Sequence, residues 1–267
     1  MNLKTVRTLA IVSFLLLLAG TFACIKRVTP IPPPVPPSFT LKNGLILYLP
    51  FNGSIADSSG NGNVVTLIDA AGGGALTADD HGNANSAWGN PGNGSYLAVT
   101  NNGSIKFDSA FSISYNVMVN SYQRQAFVTM VDLTQAFGPS FSTGLTAPGL
   151  SNFLFGANDS SGGCDNTNDG VAANVTDTSS WVPNLGVWYN VISTYRKGAI
   201  YEYVNGIQVG HTSNPLNTSA LLCPNSTVNI GAWWNSDLEN LNGTIDEVRL
   251  YNRVLTVDEI SALAKNL

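Results

Sequence analysis

The stretch Asn242-Gly-Thr-Ile-Asp-Glu-Val-Arg-Leu-Tyr-Asn-Arg-Val-Leu-Thr-Val-Asp-Glu-Ile260 decides the fold, because it joins a β-strand directly to a short helix. Thr244–Tyr251 has the apolar and β-branched composition of a strand. Thr256 and Glu259 have the spacing of a capping box, in which each side chain bonds to the backbone of the other residue. An apolar stripe follows, so we predict a short helix on the edge of a sheet; the stripe is Ile260, Leu263 and Ala264.

Strand signals recur through residues 41–267, separated by clusters of Gly, Asn, Asp and Ser. No second linker interrupts this region, and a single domain of that length suits a β-sandwich. The fold class expected is all-β: two antiparallel sheets packed face to face, closed by a short C-terminal helix. The strands expected before Thr244–Tyr251 are Leu45–Leu49, Tyr96–Val99, Phe111–Val119, Phe127–Asp132, Asn152–Phe155, Trp188–Tyr195, Ala199–Val204 and Val228–Ile230.

Two of these strands carry further information. In Phe111–Val119 every second residue is apolar, which predicts that one face of the strand is buried. Asn205-Gly206 lies between two strand-like runs, and this dipeptide favours the type I′ turn of a hairpin. We therefore expect residues 199–210 to form a β-hairpin.

The composition excludes some classes of partner. Charged residues make up 11% of the 267 residues, and 12 Lys and Arg against 17 Asp and Glu leave a net charge of −5. No basic stretch lies beyond Arg27, so the positive surface that phosphate backbones require is missing. Nucleic acid is therefore not an expected partner.

The N-terminus resembles an export signal. Lys4 and Arg7 precede an apolar run that is short for a membrane-spanning helix, and small residues follow. Thr21-Phe-Ala-Cys24 resembles a bacterial lipobox, which implies cleavage after residue 23 and lipidation of Cys24. The alternatives are an uncleaved anchor and a cleaved signal that leaves Cys24 as a free thiol.

Residues 24–40 are expected to be a linker, since Pro30–Pro37 favours an extended polyproline II spacer. We thus expect a signal peptide at 1–23, a lipidated linker at 24–40 and one domain at 41–267. This organisation predicts an outer-membrane lipoprotein of the bacterial envelope, with its membrane face undetermined.

The domain resembles the laminin-G-like, concanavalin A-like jelly rolls of bacterial surface proteins. The resemblance begins with Gly44–Gly53 and Ile55–Asn63 and ends with the stretch quoted first. The resemblance implies a jelly-roll sandwich, often used to bind glycans or to accompany enzymes that degrade them, although one fold serves many functions. Three intervening pieces match in order: Phe111–Ser114, Trp188–Ile192 leading into Tyr201–Gly206, and Val228–Gly231.

Calcium is the ion that the resemblance favours. Asp57, Asn61 and Asn63 lie in a Gly-rich loop of side-chain oxygens, the ligands that a hard cation prefers. Family members often pair such a loop with an aspartate of the last strand, here Asp246. The alternative is that Asp57 and the asparagines form Asx turns, while Asp246 pairs with Arg249 or caps a loop.

The motifs of related enzymes are missing. A retaining glucanase needs two carboxylates about 5–5.5 Å apart, and the Glu-x-Asp-x-x-Glu pattern of those enzymes does not occur. Asp246 and Glu247 are neighbours, so on a regular strand they point to opposite faces. The chain is therefore predicted to be non-enzymatic, unless acidic side chains of separate strands, such as Asp132 and Glu202, meet in a cleft.

Two cysteines follow Cys24, and they lie in loop-like sequence. In an oxidising compartment the two cysteines, Cys164 and Cys223, can form only one disulfide, and we expect that disulfide to form. The alternative is that they are two unrelated buried thiols.

Tryptophans mark the candidate ligand site, since sugar rings stack on aromatic faces while amides and carboxylates bind hydroxyls. Adjacent residues of a strand point to opposite sides, so Trp233 or Trp234 should be exposed. The candidate residues are Trp233, Trp234, Asn235 and Asp237, with Trp181 as a further one. The predicted function is a non-catalytic carbohydrate-binding module; the alternative is a protein-binding, adhesion or structural module of a surface complex, in which these residues contact a protein.

Overall fold

A computed structural model gives the protein's fold. Residues 1–38 and 39–267 form separate units, and all described residues lie in the second. The predicted signal peptide, Cys24 and the proline-rich segment lie outside the described residues. Among the described residues, no helix is long and apolar enough to cross a membrane. The described residues are 40–69, 72–107, 109–132, 140–146, 153–157, 175–178, 181–220, 223, 226–233 and 239–265.

The strands form two antiparallel sheets, as the sequence predicts. The larger sheet, sheet A, has eight strands in the order β13-β12-β11-β6-β15-β4-β3, with β1 also paired to β15. Its strands are β1 (Leu45–Leu49), β3 (Ala75–Thr77), β4 (Ala87–Pro91), β6 (Ala110–Val119), β11 (Trp188–Arg196), β12 (Ala199–Val204), β13 (Ile207–Ser213) and β15 (Asn242–Tyr251).

Sheet B has seven strands in the order β10-β9-β8-β7-β14-β5-β2. Its strands are β2 (Val64–Asp69), β5 (Ser95–Thr100), β7 (Gln125–Asp132), β8 (Phe141–Leu145), β9 (Phe153–Ala157), β10 (Val175–Thr178) and β14 (Ser226–Ile230). The strands predicted from sequence are confirmed to within a few residues. The prediction omits β3 and β10, which are short, β4 and β8, which carry Gly, and β2, although Val64–Asp69 has the composition of a strand.

The core lies between the two sheets. The alternate apolar residues of β6 are buried in it, as predicted, and Phe111 stacks on Tyr195 of β11 with ring centroids 4.9 Å apart. The opposite face of β6 is buried as well, because the chain after β15 crosses it: Ser112 Oγ donates to the carbonyl oxygen of Arg253 at 2.9 Å. Asn205 and Gly206 have φ values of 50° and 77°, which confirms the predicted hairpin.

The C-terminal helix, α1 (Val257–Ala264), begins with the predicted capping box: the backbone amide of Glu259 donates to Thr256 Oγ1, and the backbone amide of Thr256 donates to Glu259 Oε2. Its position differs from the prediction. Its apolar residues pack on Ile192 of β11 and Tyr251 of β15. Both strands have neighbours on either side, so neither is an edge strand of sheet A. The helix therefore covers the outer face of sheet A rather than its edge, since burying an apolar stripe requires an apolar face.

A β-bulge in β15 corrects the expectation for the two adjacent carboxylates. The register with β6 shifts between Asp246 and Arg249, and Glu247 has a φ of 54°. Ile245 and Val248 both enter the core. The extra residue of the bulge therefore places Asp246 and Glu247 on the same, outer face of sheet A.

Candidate functional site

A recess on sheet B contains one of the predicted ligand residues, Trp233. Its empty space of about 210 Å³ includes open solvent, so the recess is an open depression of the surface and not an enclosed pocket. It is lined by Arg124, Gln125, Ala126, Ser142, Thr143, Gly144, Leu145, Trp233 and Glu239.

Charged side chains flank the indole in this recess. The guanidinium carbon of Arg124 lies 6.0 Å from the centroid of the Trp233 ring, and Arg124 Nη1 lies 3.0 Å from Glu239 Oε1. The side chain of Arg124 is 51% exposed, whereas that of Glu239 is 11% exposed. An aromatic face, a solvent-facing cation and a carboxylate therefore lie together, and their formal charges cancel.

Backbone and amide contacts hold the walls of the recess. The backbone amide of Ala126 donates to the carbonyl oxygen of Glu239 at 2.7 Å, which ties the start of β7 to the segment before β15. Gln125 Nε2 donates to the carbonyl oxygen of Ser121, and Gln125 Oε1 accepts from the backbone amide of Asn242 at 2.8 Å. Both polar atoms of the Gln125 amide are thus used to connect the segments that form the rim of the recess.

The floor of the recess depends on a glycine. A Cβ atom at Gly144 in β8 would collide with the backbone oxygen of Gln125 in β7. The Thr129 hydroxyl donates to the carbonyl oxygen of Ala232 at 2.8 Å, which anchors the chain just before Trp233. The position of the indole is therefore set by the sheet beneath it.

Trp181 lies in a different setting from Trp233. Its ring stacks on Phe153 with centroids 5.5 Å apart and meets the edge of Tyr189 at 4.5 Å. It is half-buried and packs against the main core. Phe153 is paired in register with Leu145, which lines the recess, so Trp181 supports the same end of the sandwich.

The remaining predicted ligand residues, Trp234, Asn235 and Asp237, lie outside the described residues. Of the two cysteines predicted to pair, Cys223 is buried and Cys164 lies outside the described residues. These predictions stay predictions.

The glycine-rich loop predicted to bind calcium is a hydrogen-bonded cap on the free edge of β1. Both carboxylate oxygens of Asp57 accept hydrogen bonds: Oδ1 from the backbone amides of Tyr48 and Ser59, and Oδ2 from the Ser59 hydroxyl and from the backbone and side-chain nitrogens of Asn63. Burial by itself raises the pKa of Asp57, but these hydrogen bonds outweigh it and hold the pKa below its usual value.

The two asparagines of this loop also turn their donors toward β1. Asn61 Nδ2 donates to the carbonyl oxygen of Leu45 at 3.1 Å, and Asn63 Nδ2 donates to that of Ile46 at 2.9 Å. Asn63 Oδ1 accepts from the Ser104 hydroxyl at 2.7 Å. An ionised carboxylate has about four acceptor positions, and five donors occupy those of Asp57, so Asp57 does not fit a cation ligand here.

Asp246 belongs to a different acidic cluster. It is 5% exposed, and its Oδ1 accepts from the backbone amide of Glu247 at 2.7 Å. Burial raises its pKa to about 8, and the nearby charges of Glu247, Asp79 and Asp80 add to that rise. Asp246 therefore senses the charges of Asp79 and Asp80, whereas the carboxylate of Asp57 is hydrogen-bonded within the β1 loop. Calcium binding by Asp57, Asn61, Asn63 and Asp246 stays a prediction.

His81 completes this second cluster. Its Nδ1 lies 2.7 Å from Asp80 Oδ1, and one ligand atom each from Asp79, Asp80 and His81 lie within 4.8 Å of one another. The hydrogen bond and the charge of Asp80 raise the pKa of His81. Asp79 itself closes a turn by accepting from the backbone amide of Asn83 at 2.7 Å.

Two other carboxylates, Glu247 and Glu202, are held within sheet A. Glu247 accepts from the Tyr48 hydroxyl at 3.0 Å and pairs with Arg249, whose guanidinium lies over the Tyr48 ring. Glu202 is 1% exposed and shares the inner face of β12 with core residues. The side chain of Asp132, its suggested partner in a cleft, lies outside the described residues.

Sequence reasoning missed most of the recess. Arg124, Gly144 and Glu239 come from three segments that are distant in sequence, and none belongs to a motif. A signal was available for Arg124 alone, since it lies in a short polar turn between two predicted strands, where rim residues occur.

The comparisons with solved structures agree with this fold. Domain 4 of AbnA, a GH43 extracellular arabinanase from Geobacillus stearothermophilus solved with arabinotriose, shares 19% identity at a TM-score of 0.58; the match covers 82% of this chain and 98% of that one. The binding domain of Paraclostridial Mosquitocidal Protein 1 shares 20% identity at a TM-score of 0.62, over 85% of this chain and 53% of its own. The binding domain of botulinum neurotoxin DC, solved with SialylT, shares 14% identity at a TM-score of 0.59, over 85% and 52%.

This chain thus spans about half the length of the two toxin binding domains, and at these identities the likeness shows the fold alone. No curated protein matches the chain. A family model described as the concanavalin A-like lectin/glucanases superfamily, of the Laminin_G_3 type, matches residues 91–261. Since that match covers more than half of the chain, the protein belongs to the concanavalin A-like lectin/glucanase superfamily.

Proposed function

We propose that the protein is a non-catalytic carbohydrate-binding module that holds a sugar ring against Trp233. The observation that carries the proposal is the recess itself, in which the indole lies beside Arg124 and Glu239. Guanidinium donors and carboxylate acceptors suit the hydroxyls of a sugar, while the indole suits its apolar C–H face. Because the two charges cancel, a neutral glycan is the expected ligand.

Two similar structures support a glycan as the class of ligand. The arabinanase domain was solved with arabinotriose, and a binding domain of botulinum neurotoxin DC was solved with SialylT.

The test is a glycan-array screen of the full chain, followed by titration of any hit. We expect Trp233→Ala to abolish binding and Trp233→Phe to retain part of it, since phenylalanine keeps a flat apolar face. Tyr201→Ala is the matched control, because Tyr201 stacks on His211 on sheet A, away from the recess. Binding that survives Trp233→Ala would remove the recess from the proposal.

A protein partner is the second candidate, and one surface feature favours it. Tyr122, Val182, Leu185 and Val187 are between 41% and 46% exposed, and the Tyr122 hydroxyl donates to the carbonyl oxygen of Pro183 at 3.1 Å. Tyr122 lies two residues before Arg124, so this apolar group adjoins the recess in sequence. A folded chain that binds no glycan, and whose pull-down of a surface protein is lost in Leu185→Lys, would favour this function.

We also propose that the domain is carried on a lipid anchor at Cys24, in the bacterial cell envelope. The support is the lipobox-like sequence and the proline-rich segment that follows it. Metabolic labelling with a palmitate analogue, comparing the parent with Cys24→Ser, tests the anchor. Absence of label on the parent chain would contradict it.

A calcium ion is proposed at Asp246, next to Asp79 and Asp80. Three carboxylates near one buried position repel one another, and a divalent cation offsets that repulsion. Calcium is therefore expected to raise the melting temperature of the parent over its value in EDTA, but not that of Asp246→Asn. Asp258→Asn, on the exposed side of α1, is the matched control and should respond like the parent.

The Cys164–Cys223 disulfide remains a proposal as well. Peptide mass spectrometry of the oxidised chain, without reducing agent, is expected to recover the two cysteines in one linked pair of peptides. Recovery of both as free thiols would contradict the pairing.

A further inference from the structure

Among the described residues, the strand β2 forms an open edge of sheet B. It pairs with β5 on one side, through all six of its residues and without a register shift. Val64 is 60% exposed and Leu67 is 38% exposed, and Asp69 is the only charged residue of the strand. An apolar edge strand with exposed side chains is a site where another strand pairs.

The other edge strands of the described residues are protected in ways that β2 is not. β3 has three residues and β10 has four. β13 carries a register shift against β12, between Glu202 and Tyr203. The free side of β1 is occupied by the Asp57 loop, which bonds to Tyr48 and Ile46. Short strands, bulges and covering loops are the usual protection of sheet edges, so the exposure of β2 stands out.

The sequence of β2 is complementary to itself. In an antiparallel pair with a two-fold axis at Thr66, Val65 faces Leu67 and Val64 faces Ile68, so every cross-strand pair beside the axis is apolar. Asp69 lies beyond these pairs. Moving the axis to Leu67 would instead place Asp69 opposite Val65, which pairs a charge with an apolar side chain.

We propose that a second copy of this chain pairs with β2, with the two-fold axis at Thr66. The two copies of sheet B then form one continuous sheet, and both copies use the same strand, as a closed two-fold interface requires. The assembly carries two Trp233 recesses, which raises the avidity of the protein for a repeating ligand. The pairing itself does not depend on what the recess binds.

A cysteine at the axis tests the register. Opposed residues of an antiparallel pair have Cα atoms about 4.5–5.5 Å apart, and a disulfide spans roughly 4.4–6.8 Å. In the full chain, Thr66→Cys treated with diamide is therefore expected to give a covalent dimer on a non-reducing gel. Ile207→Cys is the matched control, because Ile207 is 70% exposed on a different edge strand. Equal dimer yields from the two variants would overturn the register.

Sedimentation equilibrium of the parent chain tests the association itself. We expect a reversible dimer whose dissociation constant rises at least tenfold in Val64→Lys, because the charge would lie opposite Ile68. Ile207→Lys should leave the constant unchanged, and circular dichroism checks that both variants fold. A parent chain that stays monomeric up to about 200 µM, which corresponds to a binding free energy weaker than about 5 kcal/mol, would overturn the proposal and leave β2 for an extended peptide of another protein.

Discussion

The guanidinium of Arg124 lies over the ring of Trp233, 6.0 Å from its centroid, while its Nη1 pairs with Glu239. This arrangement holds the arginine at the rim of the recess although its side chain is 51% exposed. The ring, the cation and the carboxylate are therefore placed together before a ligand arrives, which lowers the entropy cost of binding.

Substitutions of Arg124 test how much this preorganisation contributes to the affinity for a glycan. Arg124→Ala is expected to weaken glycan binding about tenfold, or roughly 1.4 kcal/mol, since it removes donors and breaks the ion pair with Glu239. Arg124→Lys keeps the charge but not the planar fork, so we expect an intermediate loss. Isothermal titration with an array hit measures both; an unchanged constant in Arg124→Ala would exclude the arginine from the binding site.

Asp57 tests the role of its loop as a cap on β1. Asp57→Asn keeps the shape of the side chain but replaces an acceptor oxygen by a donor group, which would face the donors of Ser59 and Asn63. We expect a loss of about 2–4 kcal/mol in the free energy of unfolding. Urea denaturation measures it, and Asp258→Asn should change the same quantity by less than about 1 kcal/mol. A small loss in both variants would contradict the structural role.

Glu259 should make the stability of the protein depend on pH through the capped end of α1. Its hydrogen bonds to Arg253, at 2.6 and 2.7 Å, hold its pKa below the usual value; burial opposes this, and the Thr256 amide adds to it. A carboxyl group whose pKa is lower in the folded state stabilises the fold above its unfolded pKa, which is about 4.3 for Glu. That stability is lost as the pH falls through the folded pKa.

The free energy of unfolding of Glu259→Gln should therefore lie below that of the parent at pH 7. The difference should shrink as the pH falls below about 4.3. Urea titrations from pH 7 to pH 3 follow it. A difference that stays constant over this range would assign the loss to packing instead of charge.

Substitutions at two glycines distinguish the cost of backbone strain from the cost of a steric collision. Gly186 and Gly198 have φ values of 71° and 75°, but a Cβ at Gly186 meets nothing within 4 Å, whereas one at Gly198 collides with the backbone oxygens of Asn214 and Asn217. Gly186→Ala should cost about 1–2 kcal/mol from the left-handed backbone alone. Gly198→Ala should cost about 1–3 kcal/mol more. Equal costs, measured by thermal denaturation, would contradict the close packing after β11.

Much of the fold follows from local sequence signals. The alternation in Phe111–Val119, the Asn205-Gly206 turn and the Thr256–Glu259 capping box each involve neighbouring residues, and the structure confirms all three. Burial alternation, positive φ and helix capping are short-range effects, so sequence alone carries them.

The sites depend on contacts between distant residues. A one-residue bulge placed Glu247 on the same face as Asp246, and donors from Tyr48 and Asn63 occupy the carboxylate of Asp57. The recess likewise needs Arg124, Gly144 and Glu239 to meet. Composition and local pattern determined the two-sheet sandwich, its capped helix and the tryptophan at its rim. The partners of each polar side chain were decided only by tertiary structure, because strand order and register set which distant groups come within hydrogen-bonding distance.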